Sequence, residues 1–328
     1  MTMGRQVGAG PRRVLFLGAT GTIGRATVRA LVSHGHQVVC LVRRPADFAI
    51  PVGATERIVS LADPSSVTRD GIRGEPFDVL VSCLASRTGL PDDAWAVDYR
   101  AHVNALNVSR AAGVTHVVLL SAICVQKPIL AFQHAKLAFE AALIASGLAY
   151  TIVRPTAFFK SLSGQIDRVR RGKPFLIFGD GTLTACKPIS DDDLGRYLAD
   201  CLDHDERRNR VLPIGGPGEA ITPKAQGERL FALLGRQPRF KHVPVVLLDV
   251  IIAILATTGR WMPALAAKAE LARIARYYAT ESMLVLDPAT GRYDAQATPS
   301  TGSETLFDYY ARVIRGGAVA ERGDHAVF

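Results

Sequence analysis

Three glycines spaced three residues apart, Gly18, Gly21 and Gly24, follow the apolar run RRVLFLGAT and open a stretch with helical spacing. In such a strand–turn–helix unit the first glycine permits the turn, the second lets backbone approach a pyrophosphate, and the third lets the helix pack on the strand. The spacing is GxxGxxG rather than the strict GxGxxG fingerprint, so the flanking strand and helix carry the interpretation. The residues predicted to bind a dinucleotide here are Gly18, Thr20, Gly21, Thr22, Ile23 and Gly24.

The end of the second predicted strand, HQVVCLVRR, indicates which dinucleotide is bound. It has no acid to bind the ribose 2′-hydroxyl of NAD, and it ends in Arg43 and Arg44. Arginine suits a 2′-phosphate, because its planar fork donates paired, charge-assisted hydrogen bonds. We therefore predict NADPH as the cofactor. The alternative is that the two arginines are simply exposed on a loop, and it applies more to Arg44 than to Arg43. Asp63 after the third strand either contacts the adenine or caps a turn before Pro64.

Further coenzyme contacts are expected where the later strands end. The segment SCLAS closes the fourth strand, and its small side chains let the backbone lie along the ribose and diphosphate. The sixth strand runs into Arg154, which is expected either at the nicotinamide or paired with an acid within the fold. The contacts predicted at these strand ends are Cys83, Leu84, Ala85, Ser121, Pro155, Thr156 and Phe158.

Alternating strand and helix patterns provide the framework for these residues. Segments with helical spacing lie between short apolar runs, as expected when strands buried on both faces alternate with covering helices. This alternation predicts an α/β fold with a doubly wound parallel sheet of the Rossmann type. The runs that predict six strands are RRVLFLGAT, HQVVCLVRR, ERIVSLAD, FDVLVSCLAS, THVVLLSAI and AYTIVRPTAFF.

After Pro155 the pattern changes to the shorter elements of a smaller lobe, which we expect to close over the carboxyl edge of the sheet. Residues 243–259, VPVVLLDVIIAILATTG, are fewer than the roughly 20 that a spanning helix needs, and Asp249 interrupts them. We predict a buried helix of the smaller lobe there, with an interfacial or ligand-facing helix as the alternative. The predicted units are a flexible tail over 1–11, an NADP-binding domain over 12–155, a substrate lobe over 156–315 whose strands and helices return to the sheet, and a flexible tail over 316–328.

Composition narrows the classes of partner. A hydrophobic content of 48% in 328 residues is enough for a proper core. A net charge of +9 suits nucleic acid, an anionic membrane surface or anionic small molecules. No run of Lys and Arg with interleaved aromatics occurs, so no nucleic-acid partner is predicted. Five cysteines without a CxxC pair argue against zinc, iron–sulfur clusters and a disulfide framework, so we predict no metal site and a reducing cytoplasm.

The glycine pattern, Arg43 and Lys136 resemble those of the NADP-dependent atypical short-chain dehydrogenase/reductases of the NmrA and isoflavone-reductase type. Longer blocks, from about Val14 to ESMLVLDP, narrow the resemblance to the divinyl chlorophyllide a 8-vinyl reductase family. The blocks are VSCLASRTG, LLSAICVQKP, VRPTAFFKSLSGQ, FGDGTLTACKPIS, VLPIGGPGEAITPKAQGE and RYYATESMLVLDP. The resemblance implies NADPH-dependent reduction of the 8-vinyl group of divinyl chlorophyllide or protochlorophyllide to ethyl, in chlorophyll or bacteriochlorophyll biosynthesis. Plant members carry a transit peptide that this chain lacks, which implies a bacterial cytoplasm, with contact at the periphery of the photosynthetic membrane.

Phe132 stands where a related carbonyl reductase would have a tyrosine, four residues before Lys136. Carbonyl reduction leaves an alkoxide that a Tyr–Lys pair can protonate. A reduced vinyl group is protonated at carbon instead, so a phenol is not required, and Phe132 packs against cofactor or pigment or simply faces the core. Lys136 is predicted to be catalytic and to bind the coenzyme, through ribose hydroxyls, electrostatics or a proton relay. The alternative for Lys136 is an exposed helix lysine.

A flat apolar tetrapyrrole needs a slot with aromatic walls and a basic rim. The predicted substrate contacts are Cys124, Lys127, Phe132 and Phe159, and Lys160, Trp261, Tyr277 and Tyr278 are available to line the slot. Two other functions stay open. One is an atypical reductase for enones, quinones or phenylpropanoids, and the other is an NADP(H)-sensing regulatory protein without turnover.

Overall fold

The computed structural model of the chain describes residues 10–46, 50–259 and 262–316. Both predicted tails therefore lie outside the described residues, apart from positions 10, 11 and 316. Trp261, a candidate for the substrate slot, lies outside them as well.

The strands form one large parallel sheet and two small pairs in the described part of the chain. The main sheet has seven strands in the order β3-β2-β1-β4-β5-β6-β8, with the strands numbered along the chain. Its first six positions follow the order of a dinucleotide-binding sheet, in which the strand order reverses beside the first strand. The prediction of a doubly wound parallel sheet is confirmed. In chain order the strands are β1 Arg13–Leu17, β2 Gln37–Val42, β3 Ala54–Ile58, β4 Val79–Ser82, β5 His116–Leu120, β6 Ala149–Pro155, β7 Phe175–Phe178, β8 Arg210–Ile214, β9 Phe240–Val243, β10 Val285–Leu286 and β11 Tyr293–Asp294.

The helices cover both faces of this sheet. Two π-helical segments, Val67–Ile72 and Trp95–Ala101, continue α2 and α3, and two short 3-10 turns span Ile123–Gln126 and Asp205–Arg207. In chain order the α-helices are α1 Thr22–Ser33, α2 Pro64–Ser66, α3 Pro91–Ala94, α4 His102–Ala111, α5 Ala131–Ala145, α6 Phe159–Leu162, α7 Ile166–Arg170, α8 Asp191–Asp200, α9 Pro223–Leu233, α10 Val245–Gly259, α11 Pro263–Thr280 and α12 Leu306–Ile314.

The alternation of side chains along each strand divides the core in two. Val14 and Phe16 of β1 face α1 and α8, whereas Leu15 and Leu17 face α4 and α5. All four are fully buried, because a parallel sheet covered on both faces has no solvent-facing side. The carboxyl ends of the strands, where the predicted coenzyme residues lie, are thereby left as the open edge of the layered core.

Several described segments of the C-terminal half of the chain pack on the main sheet and its helices. Strand β8 pairs in parallel with β6 and extends the main sheet, and α8 packs on α1. The backbones approach closely there, since a Cβ on Gly195 would lie 2.7 Å from the carbonyl carbon of Ala26. Strands β7 and β9 pair separately and share a core with α9 and α12. The predicted division into an NADP-binding domain and a substrate lobe, with its boundary at Pro155, stays a prediction.

The expectation of a buried helix over residues 243–259 is wrong. A helix forms there as α10, but none of its residues is buried. It packs mainly on α11, which covers only part of its surface. Five of its large apolar residues are exposed: Val246, Leu247, Val250, Ile251 and Ile254.

Candidate functional site

The glycine turn after β1 has the geometry that the sequence predicts. Gly18 has φ of +82°, and a Cβ there would lie 2.5 Å from the carbonyl carbon of Cys83, at the end of β4. A Cβ on Gly24 would lie 2.0 Å from the carbonyl oxygen of Gly18, whereas a Cβ on Gly21 would meet that oxygen only at 3.5 Å. Gly18 and Gly24 are thus required by packing inside the turn, and Gly21 leaves open space beside the start of α1. That space fits a diphosphate close to the backbone.

A small cleft lies beside this turn, between α1 and the end of β2. Arg43 and Arg44 follow β2 directly and are exposed. Arg25, which the sequence analysis did not select, lies on the wall of the cleft, and its Nε donates to the carbonyl oxygen of Thr20 at 3.1 Å. The cleft is lined by Ala19, Arg25, Val28, Arg29, Cys40, Val42, Ala46, Ile50 and Pro51.

Asp63 lies after β3 and caps the next helix. Its side chain accepts a hydrogen bond from the backbone N–H of Ser65 at 2.9 Å, directly at the start of α2. The turn-capping alternative is therefore confirmed, and an adenine contact stays a prediction.

The ends of β4 and α1 are held together by side chains as well as by glycines. Thr27 and Cys83 have their Oγ1 and Sγ atoms 3.6 Å apart. Burial raises the pKa of the Cys83 thiol to about 12, so it remains a neutral thiol at physiological pH. Leu84 is half-buried and Ala85 is exposed, which leaves the backbone of the predicted SCLAS segment accessible at this edge.

Lys136 of α5 is not a surface lysine. Its Nζ lies 2.9 Å from Oδ1 of Asp98, and its side chain is only 13% exposed. Asp98 belongs to the π-helical segment Trp95–Ala101. A π-helical turn places a residue off the regular helical register, and such turns are frequent at functional sites.

The Asp98 carboxylate is buried and only partly satisfied. Its Oδ1 also accepts from the Ser86 N–H at 3.3 Å, while its Oδ2 has no hydrogen-bond partner among the described residues. Burial alone would raise the pKa of Asp98, but the charge of Lys136 and the hydrogen bonds from Ser86 and Lys136 outweigh it, so the pKa is lowered. Asp98 is therefore an anion that fixes the Lys136 ammonium. The sequence carries only a weak signal for it, since Asp98 is simply the one acid in the helical segment AWAVDYRAHVNALNVSRAAG.

Ser121 and Arg154 both form hydrogen bonds with the buried carboxylate of Glu140. The Ser121 hydroxyl donates to Oε1 of Glu140, and the Arg154 guanidinium donates to both carboxylate oxygens of Glu140. The alternative in which Arg154 pairs with an acid of the fold is confirmed. Coenzyme contact by Ser121 stays a prediction, with its hydroxyl proton already engaged.

Phe132 lies in a buried cluster that joins α5 to α11. It packs with Cys124, Ile274, Tyr277 and the half-buried Tyr278. The Tyr277 hydroxyl donates to the carbonyl oxygen of Cys124 at 2.8 Å, and the Tyr278 hydroxyl lies 4.0 Å from the Cys124 Sγ. The two tyrosines considered for the slot, Tyr277 and Tyr278, thus lie beside two of the predicted substrate contacts, Phe132 and Cys124.

Lys127, Phe159 and Lys160 have other partners in the structure. The Lys127 ammonium donates to both carboxylate oxygens of Glu281 at 2.8 Å. Phe159 is 3% exposed and packs in the core shared with α12, so it lies away from the Phe132 cluster. Lys160 reaches across to α1, where its Nζ donates to Thr22 Oγ1 at 2.9 Å. It therefore brings a positive charge to the start of the helix that follows the glycine turn.

Three predicted coenzyme contacts, Pro155, Thr156 and Phe158, lie at the end of β6 and directly after it. Pro155 is buried as the last residue of β6, and the Thr156 hydroxyl donates to the carbonyl oxygen of Lys187. Phe158 is half-buried against the core between the sheet and α1. Coenzyme contact by these three residues stays a prediction.

A cluster of possible metal ligands, absent from the sequence predictions, lies after α1, at the edge opposite the carboxyl ends of the strands. Its members are His34, His36 and Asp203. His36 Nδ1 accepts from the Arg12 N–H at 3.2 Å, which leaves the ring proton on Nε2. A metal at that nitrogen would have to displace the proton, so the cluster does not form a prepared cation site.

Comparisons with known proteins agree with this geometry. A family model described as NAD(P)H-binding matches residues 18–205. Divinyl chlorophyllide a 8-vinyl-reductase of Zea mays, a chloroplastic protein, is 46% identical over 99% of this chain and 85% of its own length. The protein of that name from Oryza sativa subsp. indica is 49% identical over 96% and 82%.

Among solved structures, the NADPH complex of the NADPH-dependent quinone oxidoreductase of Escherichia coli superposes with a TM-score of 0.66. It covers 92% of this chain and 99% of the oxidoreductase, at 18% identity. At that identity the likeness concerns the fold alone.

Proposed function

Because the chain belongs to the divinyl chlorophyllide a 8-vinyl-reductase family, we propose that it reduces the 8-vinyl group of divinyl chlorophyllide to ethyl with NADPH. It is then an NADPH-dependent oxidoreductase that acts on a carbon–carbon double bond in chlorophyll biosynthesis. The similarity to plant reductases of that name over nearly the whole chain carries the proposal. Divinyl protochlorophyllide and a place in bacteriochlorophyll biosynthesis are narrower proposals, which rest on the resemblance alone.

The coenzyme is proposed to lie across the carboxyl edge of β1, β2 and β4. The space beside Gly21 fits the diphosphate, and the uncapped start of α1 supplies backbone N–H groups toward it. Arg43 and Arg44, with Arg25 on the cleft wall, supply positive charge for the 2′-phosphate. Lys160, which bonds to Thr22, adds a charge near the diphosphate.

When bound, NADPH supplies a hydride to one carbon of the vinyl group, and a proton adds to the other carbon, which leaves ethyl and NADP⁺. The residues of this chain position the reactants and balance charge. We propose that the Lys136 ammonium, which Asp98 holds, binds ribose hydroxyls and stabilises negative charge that develops in the macrocycle. Phe132 offers no proton, which agrees with protonation at carbon.

The pigment is proposed to lie against the cluster that contains Phe132, Cys124 and Tyr278. Their apolar and aromatic side chains suit a flat macrocycle. Burial raises the pKa of Cys124, and that of Tyr278 well above its ordinary value, so both stay neutral. Lys127, half exposed beside Glu281, supplies a basic side chain at this cluster, and its carbonyl oxygen accepts from the Tyr277 hydroxyl at 3.2 Å. Phe159 is the weakest of the predicted substrate contacts, because it is buried in another core.

We propose a reducing compartment for the enzyme, since its five cysteines are all free. The bacterial cytoplasm, with contact at the membrane periphery, is the narrower proposal, and the plant relatives are chloroplastic. No helix in the described ranges is long and apolar enough to cross a membrane.

The test is turnover of the named substrate. Purified chain is incubated with NADPH and detergent-dispersed divinyl chlorophyllide, and the pigment absorption and chromatographic retention are followed. We expect conversion to the 8-ethyl pigment, matched by oxidation of one NADPH per pigment. Parallel reactions contain enones or quinones in place of the pigment. NADPH oxidation with these compounds and none with divinyl chlorophyllide would replace the proposed activity with that of another atypical reductase. Coenzyme binding without any turnover would favour the sensor.

A further inference from the structure

Helix α10 carries an exposed apolar surface that the proposed reaction does not use. Val246, Val250 and Ile254 are spaced by four residues, and Leu247 and Ile251 run beside them, so the five share one side of the helix. We call these five residues the α10 stripe. Their exposure ranges from 36% to 67%, which is high for five neighbouring large apolar residues.

The single charge of α10 is neutralised by its neighbour. Asp249 forms an ion pair with Arg276 of α11. Helices α10 and α11 form a helical hairpin, and its other acid, Glu270, pairs with Arg273 at 2.9 Å. The α10 stripe itself therefore contains no charged residue, and the hairpin presents no unpaired acid among its described residues.

The surroundings of the stripe are basic. Residues 236–278 contain seven Lys and Arg against two Asp and Glu. Arg239 and Lys241 are exposed directly before α10, and Lys268 is exposed on α11. An apolar face with a rim of Lys and Arg is the pattern of helices that lie in the headgroup region of anionic membranes.

We propose that the α10 stripe docks on the surface of an anionic lipid bilayer, with the helix lying in the plane of the membrane. With 15 residues, α10 is about 22 Å long, shorter than the roughly 30 Å of a bilayer core. A second copy of the chain is a poorer occupant, because a two-fold interface would bring the two basic rims together. Charge complementarity thus selects anionic lipid over self-association.

The hairpin also connects this surface with the proposed pigment site. Ile274 and Tyr277 of α11 lie in the same buried cluster as Phe132. Docking through α10 would therefore place that cluster near the headgroup region, from which an apolar pigment can be drawn. This step rests on the proposed function, whereas docking itself does not.

Vesicle flotation with the full-length chain tests the docking. One set of vesicles contains equal parts of phosphatidylglycerol and phosphatidylcholine, and the other contains phosphatidylcholine alone. The wild-type chain should float with the anionic vesicles and stay largely in solution with the neutral ones. A variant with Val246→Gln, Val250→Gln and Ile254→Gln should partition at least about tenfold less, because it loses apolar surface from the contact. Ile144→Gln, at an exposed apolar position of α5, is the matched control and should float like the wild type.

Turnover of detergent-dispersed pigment is measured in parallel and should be the same in all three proteins, so that failure of the docking is separated from failure of the reductase activity. The docking proposal is overturned if the wild type does not float with anionic vesicles. It is also overturned if the triple variant floats to the same extent as the wild type. A wild-type dimer that the triple variant converts to a monomer, seen by sedimentation without vesicle binding, would likewise overturn it in favour of self-association.

Discussion

Lys136 and Asp98 are 38 residues apart in the sequence and meet through an ion pair in which both side chains are largely buried. Because removal of either partner leaves a charge without its counterion in a poorly solvated place, the pair behaves as one unit. The proposed reaction needs a fixed positive charge, and a flexible lysine supplies one only if something holds it. Asp98 is thus a positioning residue, acting through Lys136.

Lys136→Ala should lower turnover by about 100-fold while pigment binding changes by less, because it removes a charge used in the reaction rather than an apolar contact. Asp98→Asn should also lower turnover, through misplacement of Lys136. Single-turnover kinetics and pigment titration separate the two effects. Lys173→Ala, at an exposed position before β7, is the control. Near-normal turnover in Lys136→Ala would assign this lysine to structure alone.

Arg43→Ala should weaken NADPH binding by about tenfold or more and leave NADH binding nearly unchanged. The lost partner is the 2′-phosphate, and a hydrogen bond to a charged group contributes about 1.5–3 kcal/mol. Titration of both coenzymes measures the difference. Arg44→Ala is the companion variant, because both side chains are exposed after β2. Equal losses for the two coenzymes would contradict the assignment of Arg43.

At the scale of elements, two glycines of the turn are needed for different reasons, which the sequence pattern alone does not distinguish. Gly24 is needed by packing, since its Cβ would lie 2.0 Å from a backbone oxygen that cannot move away without distorting the turn. Gly21 has room for a Cβ against the protein, with its nearest neighbour at 3.5 Å. Its requirement comes from the proposed coenzyme.

Gly24→Ala and Gly21→Ala should therefore fail in different ways. Gly24→Ala should lower the free energy of unfolding without coenzyme by about 1–3 kcal/mol, the usual cost of overpacking. Gly21→Ala should unfold like the wild type without coenzyme, but bind NADPH much more weakly. Denaturant titrations with and without NADPH give both quantities. Unchanged NADPH affinity in Gly21→Ala would place the diphosphate elsewhere.

The sequence predicts elements well where one signal dominates. β1 and α1 were predictable because an apolar run, a glycine turn and a helical repeat follow one another. Helix α10 was predictable as a helix but not in its exposure, because the apolar repeat does not say how many neighbours cover it. The contact of Lys136 with Asp98 was not predictable either. It depends on a π-helical segment, which has no clear sequence signature.

At the scale of the whole molecule, two buried histidines make the free energy of unfolding depend on pH. Burial lowers the pKa of His102 to about 4, with the Lys136 charge contributing. Burial likewise lowers the pKa of His116 to about 4, helped by the charges of Arg208 and Arg12. His116 Nε2 lies 3.0 Å from Thr151 Oγ1, and its Nδ1 has no partner among the described residues. Both rings are neutral in the fold and take up protons when the chain unfolds.

Between the ordinary histidine pKa of 6.5 and about 4, the unfolded chain binds more protons than the folded chain at these sites, so stability falls as pH falls. His116→Gln removes one such site, at the start of β5 and away from the proposed active site. Its free energy of unfolding should therefore fall less steeply than that of the wild type, by up to about 1.4 kcal/mol per pH unit within this window. Urea titrations at several pH values give both slopes. Parallel pH profiles for His116→Gln and the wild type would mean that His116 is protonated in the folded chain.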